Sequence, residues 1–86
     1  MAPKIIIINP NSNEAVTDGI DSAMDTFRMS GGPEIRCLTL QEGPPGVQTQ
    51  QDVESVILPL VNLAKSLENE ASAFIIACFS DPGLHA

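Results

Sequence analysis

The stretch Ala73-Phe74-Ile75-Ile76-Ala77-Cys78-Phe79-Ser80-Asp81-Pro82-Gly83-Leu84 decides how this chain folds. Its first half is apolar and uncharged, the pattern of a strand buried on both faces. It then switches to Ser80-Asp81-Pro82-Gly83, which is turn and helix-start chemistry. Asp81 suits an N-cap, and Pro82 suits the first helical position, where its missing N–H costs nothing. Cys78 is therefore expected at the carboxyl end of a central strand, just before a helix N-terminus. In open α/β sheets that edge is where ligands bind, and the backbone N–H groups of Phe79 and Ser80 would face an anion there. A thiol so placed can carry a proton or act as a nucleophile. The competing reading is a small buried residue, because free cysteine is among the most buried side chains. Position alone favours that second reading.

Working back from this stretch, residues 51–67 carry a helical stripe at Val53, Val56, Ile57, Leu60, Val61, Ala64 and Leu67,. Thr49 is a plausible cap, and Pro59 inside the helix removes one backbone hydrogen bond and predicts a kink. Glu68-Asn69-Glu70 ends it. Residues 41–50 form a long loop marked by Gly43-Pro44-Pro45-Gly46. Such loops in α/β units often reach over a site, although a passive linker fits as well. Val47 would either wall a pocket or tuck the loop down. Glu34 to Leu40 reads as strand two, with Cys37 assigned to core packing.

At the amino end, Lys4 to Ile8 is a β-branched run and reads as strand one. Asn9-Pro10-Asn11-Ser12 follows, and Pro10 cannot continue a central strand. Asn11 or Ser12 is expected to cap the next helix, with Glu14 completing a capping box. Val16, Ile20, Ala23, Met24 and Phe27 form its apolar stripe, with Asp18, Asp21 and Asp25 off it. Gly31-Gly32-Pro33 breaks the chain. The order strand, helix, strand, helix, strand, helix start implies an α/β parallel sheet with right-handed crossovers. Asn11, Ser12 and Cys78 then converge on one place if strands one and three are neighbours. With only three strands and an unfinished third helix, one apolar face is expected to lack cover. The chain thus reads as a fragment, or as one whose face is covered by something else.

Length and composition narrow the classes. The chain has 86 residues, 43% hydrophobic, with no Trp or Tyr and three Phe. That allows one small domain with an aliphatic core; such chains bury only about 60% of their unfolded surface. Eleven acids against four bases give a net charge of −7, which argues against nucleic acid or an acidic membrane as partner. The acids are spread along helix faces and read as solvated surface. The two cysteines have no zinc spacing. The Ile5–Ile8 run is too short for a signal peptide, and no run approaches the ~18 apolar residues of a membrane span. Free thiols in a reducing cytoplasm are the simplest reading.

Ile7-Ile8-Asn9-Pro10-Asn11-Ser12, Gly43-Pro44, and above all Ile76-Ala77-Cys78-Phe79-Ser80-Asp81-Pro82-Gly83-Leu84 resemble the Asp/Glu racemase superfamily, most closely its hydantoin and allantoin racemase branch. The resemblance covers the whole chain but the first half or less of a family member. It implies a three-layer, flavodoxin-like half with a β-α-β-α-β parallel sheet, one of two similar halves facing each other across a cleft. Residues 1–86 would be the N-terminal half-domain, ending at the start of its third helix. Each half of such a protein supplies one cysteine. One thiolate removes the proton from the substrate Cα, and the other thiol protonates the opposite face, without any cofactor or metal.

By this resemblance Cys78 is the first catalytic cysteine. Asn11 and the backbone of Phe79 and Ser80 would hold substrate carbonyl or carboxylate oxygens, with Ser12 beside them. Ser80 stands where members often carry Gly. His85 reads as a surface residue. A second cysteine in a matching motif is missing, and Cys37 lies inside a strand, so the 86 residues alone are not expected to racemise anything by the two-thiol route. The implied substrate is a small hydantoin-, allantoin- or amino-acid-like molecule, and the implied partner is a C-terminal half or a second copy of the chain. A decarboxylase or isomerase using one thiol, and a binding or interaction module without activity, are the alternatives.

Overall fold

The structure is a computed structural model that describes residues 3–78 and 80–86. Three parallel strands form one sheet: β1 (Lys4–Asn9), β2 (Glu34–Thr39) and β3 (Ala73–Ile76). Their order is β2-β1-β3. Ile7 pairs with both Cys37 and Ile75, and Ile8 with both Leu38 and Ile76. The helices are α1 (Glu14–Ala23), continued by a 3₁₀ turn over Met24–Phe27, and α2 (Gln50–Ser66).

Alternation along β1 builds the layers, because successive side chains of a strand point to opposite faces. Ile6 and Ile8 join Leu40, Val56 and Leu60 in the aliphatic core, so this face is covered by α2. Each such fully buried side chain contributes about 1.5–3 kcal/mol from burial. Asn9 points the other way and hydrogen-bonds Thr17 on α1. The two helices therefore lie on opposite faces of the sheet, the three-layer α/β arrangement expected from the order of elements.

The structure departs from the sequence expectations in four places. The first concerns β3, expected to be central and buried on both faces. It is a four-residue edge strand with alternating exposure, and Ile75 is 48% exposed. The central position belongs to β1, which both other strands flank. Phe74 and Ile76 pack toward the α2 core, whereas Ile75 lies on the opposite face. An open apolar groove of about 530 Å³ runs between β3, α2 and residues 81–86.

The second is the cap of α1. Asn13 fills it, its side chain accepting from the Ala15 N–H at 3.0 Å. Neither Asn11 nor Ser12 caps the helix, because Asn11 is engaged one turn earlier. Its Oδ1 accepts the Asn13 N–H and so shapes the approach to the cap.

The third is the apolar stripe of the first helix, which is poorly covered. Val16 and Phe27 are exposed, and the residue of α1 that is buried is Thr17. The α-helix gives way to the 3₁₀ turn at Met24. Arg28 then binds the Asp21 carbonyl, the Asp21 and Asp25 carboxylates, and the Ile35 carbonyl on β2.

The fourth is the helix expected from Asp81. Turns stand in its place, closed by Leu84 N–H to Asp81 O and Ala86 N–H to Gly83 O. Asp81 has φ +46°, left-handed and far from an N-cap conformation,. Gly83 has φ +76°, and a Cβ there would lie 3.5 Å from Val61 and 3.6 Å from Leu60.

Thr49 caps α2 in a capping box with Asp52, as expected, and Pro59 lies inside a helix that runs unbroken from Gln50 to Ser66. The two backbone N–H groups of Gln48 and Thr49 hold the Asp52 carboxyl below the usual carboxylate range. Val47 packs on the core and tucks the long loop down.

Candidate functional site

The site is assembled where β1 and β3 leave the sheet. The two strands pair through Ile8 and Ile76, and the Ala77 N–H continues the ladder to the Ile8 carbonyl at 2.9 Å. The next residues are Asn9-Pro10-Asn11-Ser12 on one chain segment and Cys78 on the other. The neighbour relation required for their convergence therefore holds. Cys78 is free and half-buried, in a bend just beyond β3. It lines an open depression of about 510 Å³ together with Ile20, Ile76, Ala77 and Asp81. The Cys78 carbonyl accepts the Asp81 N–H at 3.1 Å, which turns the chain directly after the thiol.

Ser80 is exposed, in a turn. Phe79, expected to offer a backbone N–H to substrate, lies outside the described residues. The helix N-terminus expected beside Cys78 is replaced by the turns of residues 81–86, so it supplies no helix dipole here.

The Asn-Pro-Asn turn is tied down by burial and hydrogen bonds. Pro10 is fully buried. Asn11 and Ser12 are half-buried. The Ser12 N–H donates to the Pro44 carbonyl at 2.9 Å, tying the turn to the long loop. Gly43 makes that approach possible. A Cβ there would sit 2.5 Å from the Pro10 carbonyl oxygen, an approach that only a glycine allows, and a tight 3.2 Å from the Asn11 Cα,. The loop after β2 thus braces the loop after β1, which gives the Gly43-Pro44 pair a place beside the site.

Below the turn lies a polar cluster that the sequence reading missed. Asn9 is 1% exposed and Thr17 is 5% exposed. Asn9 Nδ2 donates to Asn11 Oδ1 at 2.9 Å and to Thr17 Oγ1 at 3.0 Å. Thr17 and Thr39 share a hydroxyl–hydroxyl bond of 2.6 Å. The available signal was an amide closing an otherwise aliphatic strand, with a threonine eight residues later in the facing helix.

Cys37 is also free and half-buried, but it is not part of this site. It lies within β2 opposite Ile7, and burial followed by the nearby Asp21 carboxylate pushes its thiol above the ordinary value. No cluster of three His, Cys, Asp or Glu side chains suited to a metal occurs among the described residues. Nor is any helix among them long and apolar enough to cross a membrane.

Comparison with known proteins agrees with this fold. Residues 5–86 match the family model described as Asp/Glu/Hydantoin racemase. The chain is 38% identical to a hydantoin racemase of Pseudomonas sp. (strain NS671), covering 96% of this chain and 33% of that protein. It is 32% identical to a hydantoin racemase of Paenarthrobacter aurescens, covering 96% of this chain and 36% of that one. Among solved structures, allantoin racemase from Klebsiella pneumoniae superposes with a TM-score of 0.84 at 27% identity, over 96% of this chain and 34% of that one. The chain thus spans about a third of the length of the relatives it matches. Sequence and architecture together make this chain a member of the Asp/Glu/hydantoin racemase family.

Proposed function

We propose that this chain belongs to the N-terminal α/β half of a cofactor-independent racemase and makes up most of it, with Cys78 as one of its acid/base groups. Its substrate is a small hydantoin-, allantoin- or amino-acid-like molecule with a Cα–H next to a carbonyl. The observation that supports this reading is the pairing of β1 with β3, from whose neighbouring carboxyl ends the chain runs on into the Asn-Pro-Asn turn and into Cys78.

In the proposed reaction the Cys78 thiolate takes the Cα proton from one face. The electron pair moves onto the carbonyl oxygen, giving an enolate-like anion. A second acid, from a C-terminal half or a second copy of the chain, protonates the other face. Donors aimed at the developing oxyanion lower the barrier by about 3 kcal/mol each. Asn11, Ser12 and the backbone at Phe79 and Ser80 are the groups assigned to hold substrate oxygens. The free thiols support a reducing, cytoplasmic setting,.

Cys78→Ala in the complete protein, with any continuation its gene encodes after Ala86, tests the assignment. Acid/base groups of this kind contribute about 10²–10⁴-fold, so racemisation of an optically pure hydantoin, followed by polarimetry, should fall by at least ~100-fold. Activity within a few-fold of wild type would remove Cys78 from the mechanism. A second reading follows from the single cysteine at this edge, since one thiol suffices to protonate an enolate after decarboxylation. Carbon dioxide release without racemisation would select it.

A further inference from the structure

The racemase reading gives no task to the polar cluster beneath the Asn-Pro-Asn turn. Burying an amide in an aliphatic sheet is unfavourable unless its hydrogen bonds are made. Asn9 makes them with directions that can be assigned. The Asn13 backbone N–H can only donate, so the Asn11 atom it meets at 2.9 Å is Oδ1. Asn9 Nδ2 donates to the same oxygen at 2.9 Å. Asn11 Oδ1 is thereby doubly occupied, and among the described residues Asn11 Nδ2 has no partner. Asn9 is itself fixed. Its Nδ2 also reaches Thr17 Oγ1 at 3.0 Å and the Asn13 carbonyl at 3.3 Å, and its Oδ1 accepts the Asn11 N–H at 3.4 Å. Thr17 is anchored across the sheet by Thr39 on β2.

We propose that Asn9, held by Thr17 and Thr39, is a positioning residue that locks the Asn11 amide with its NH₂ group free for substrate. The proposal rests on the racemase reading and sharpens it. At Asn11 the site offers two N–H donors and no acceptor, so it selects an oxygen of the substrate. A hydantoin ring presents alternating C=O and ring N–H groups, and this device fixes which of them meets the turn. Asn9 touches no substrate; it acts through Asn11.

Two measurements on the complete protein test this. The first needs neither ligand nor activity. In ¹⁵N-labelled protein the Asn9 side-chain NH₂ should exchange slowly with solvent and the Asn11 NH₂ quickly, and Thr17→Val should accelerate Asn9. The reverse order would overturn the proposal. The second is calorimetric binding of hydantoin. Asn11→Asp, which replaces the donor by an acceptor of the same shape, should weaken binding by about 100-fold, as loss of a paired donor at a built site does. Thr17→Val should weaken it by about fivefold, Thr17→Ser should bind as wild type does, and Thr17→Val should cost nothing further in an Asn11→Ala background. Additive effects of Thr17→Val and Asn11→Ala would reduce Asn9 and Thr17 to a structural role and overturn the proposal. A wild-type protein that keeps the exchange pattern but binds no hydantoin would support the amide orientation and overturn the substrate reading alone.

Discussion

Cys37 and Cys78 are both free and half-buried, one within a strand of the small sheet and the other just past the end of one. Their surroundings nevertheless assign them different work. Cys37 sits within β2, in register with Ile7, beside Asp21 and Arg28. Burial and the Asp21 carboxylate both disfavour its thiolate, and the opposing influence of Arg28 is smaller than either. Cys78 lies beyond the end of β3, where the chain has left the ladder and borders an open depression. The backbone around a thiol inside a strand is fixed by the ladder to its neighbour, here β1, whereas a thiol past the end of a strand is free of that ladder. Position relative to the end of the ladder separates the two more cleanly than burial does.

The sharpest way to break the comparison is to exchange the fates of the two thiols. Beside the loss set out for Cys78→Ala, Cys37→Ala should leave racemisation within about threefold of wild type, since conservative core truncations act on stability and not on the reacting atoms. Equal losses would erase the distinction. Next in size is Gly43→Ala. The new methyl would meet the Pro10 carbonyl oxygen at 2.5 Å, so the turn beside Cys78 must shift while the surroundings of Cys37 do not. A thermal-stability loss of about 1–3 kcal/mol, typical of overpacking, is expected, together with weaker hydantoin binding. Gly46→Ala in the same loop, where a Cβ meets the Gln48 side chain at 3.6 Å, is expected to be silent.

A smaller effect sharpens the Cys37 side. Its folded pKa is raised, so the folded state prefers the neutral thiol. The associated stability is therefore complete below the ordinary thiol value and is lost as pH rises through the raised folded value. Alkylation of Cys37 by iodoacetamide in a Cys78→Ser background should begin at higher pH than in the urea-unfolded chain. The least effect is expected from Asp21→Asn, which removes the carboxylate charge that ranks after burial among the causes. It should move that onset part of the way back, leaving the contribution of burial.

The α/β alternation, the two crossover helices, the Thr49 cap and the Cys78-bearing edge were all legible locally, because each depends on periodicity or on a residue's own backbone preference. The reading went astray where a neighbour decided. Asn11 has the chemistry of an N-cap, but Asn13 is the cap because Asn9 and the Asn13 N–H engage the Asn11 oxygen first. Asp81-Pro82 has the chemistry of a helix start, yet Asp81 is left-handed and turns follow. Thr17 lies outside the stripe of Val16, Ile20, Ala23, Met24 and Phe27 yet is the buried residue of α1, where Asn9 and Thr39 meet it from the sheet.

By itself the sequence determined which segments are strands and helices, and that a cysteine and an Asn-Pro-Asn turn stand at strand ends. Hydrophobic period and turn chemistry act within a few residues, so a single chain displays them openly. The tertiary structure alone decided that β1 lies between its two partners. It alone set Gly43 against Pro10 and bound Asn9 to Thr17. Those contacts join residues distant in the chain, and a hydrogen bond or a steric limit exists only once both partners are in place.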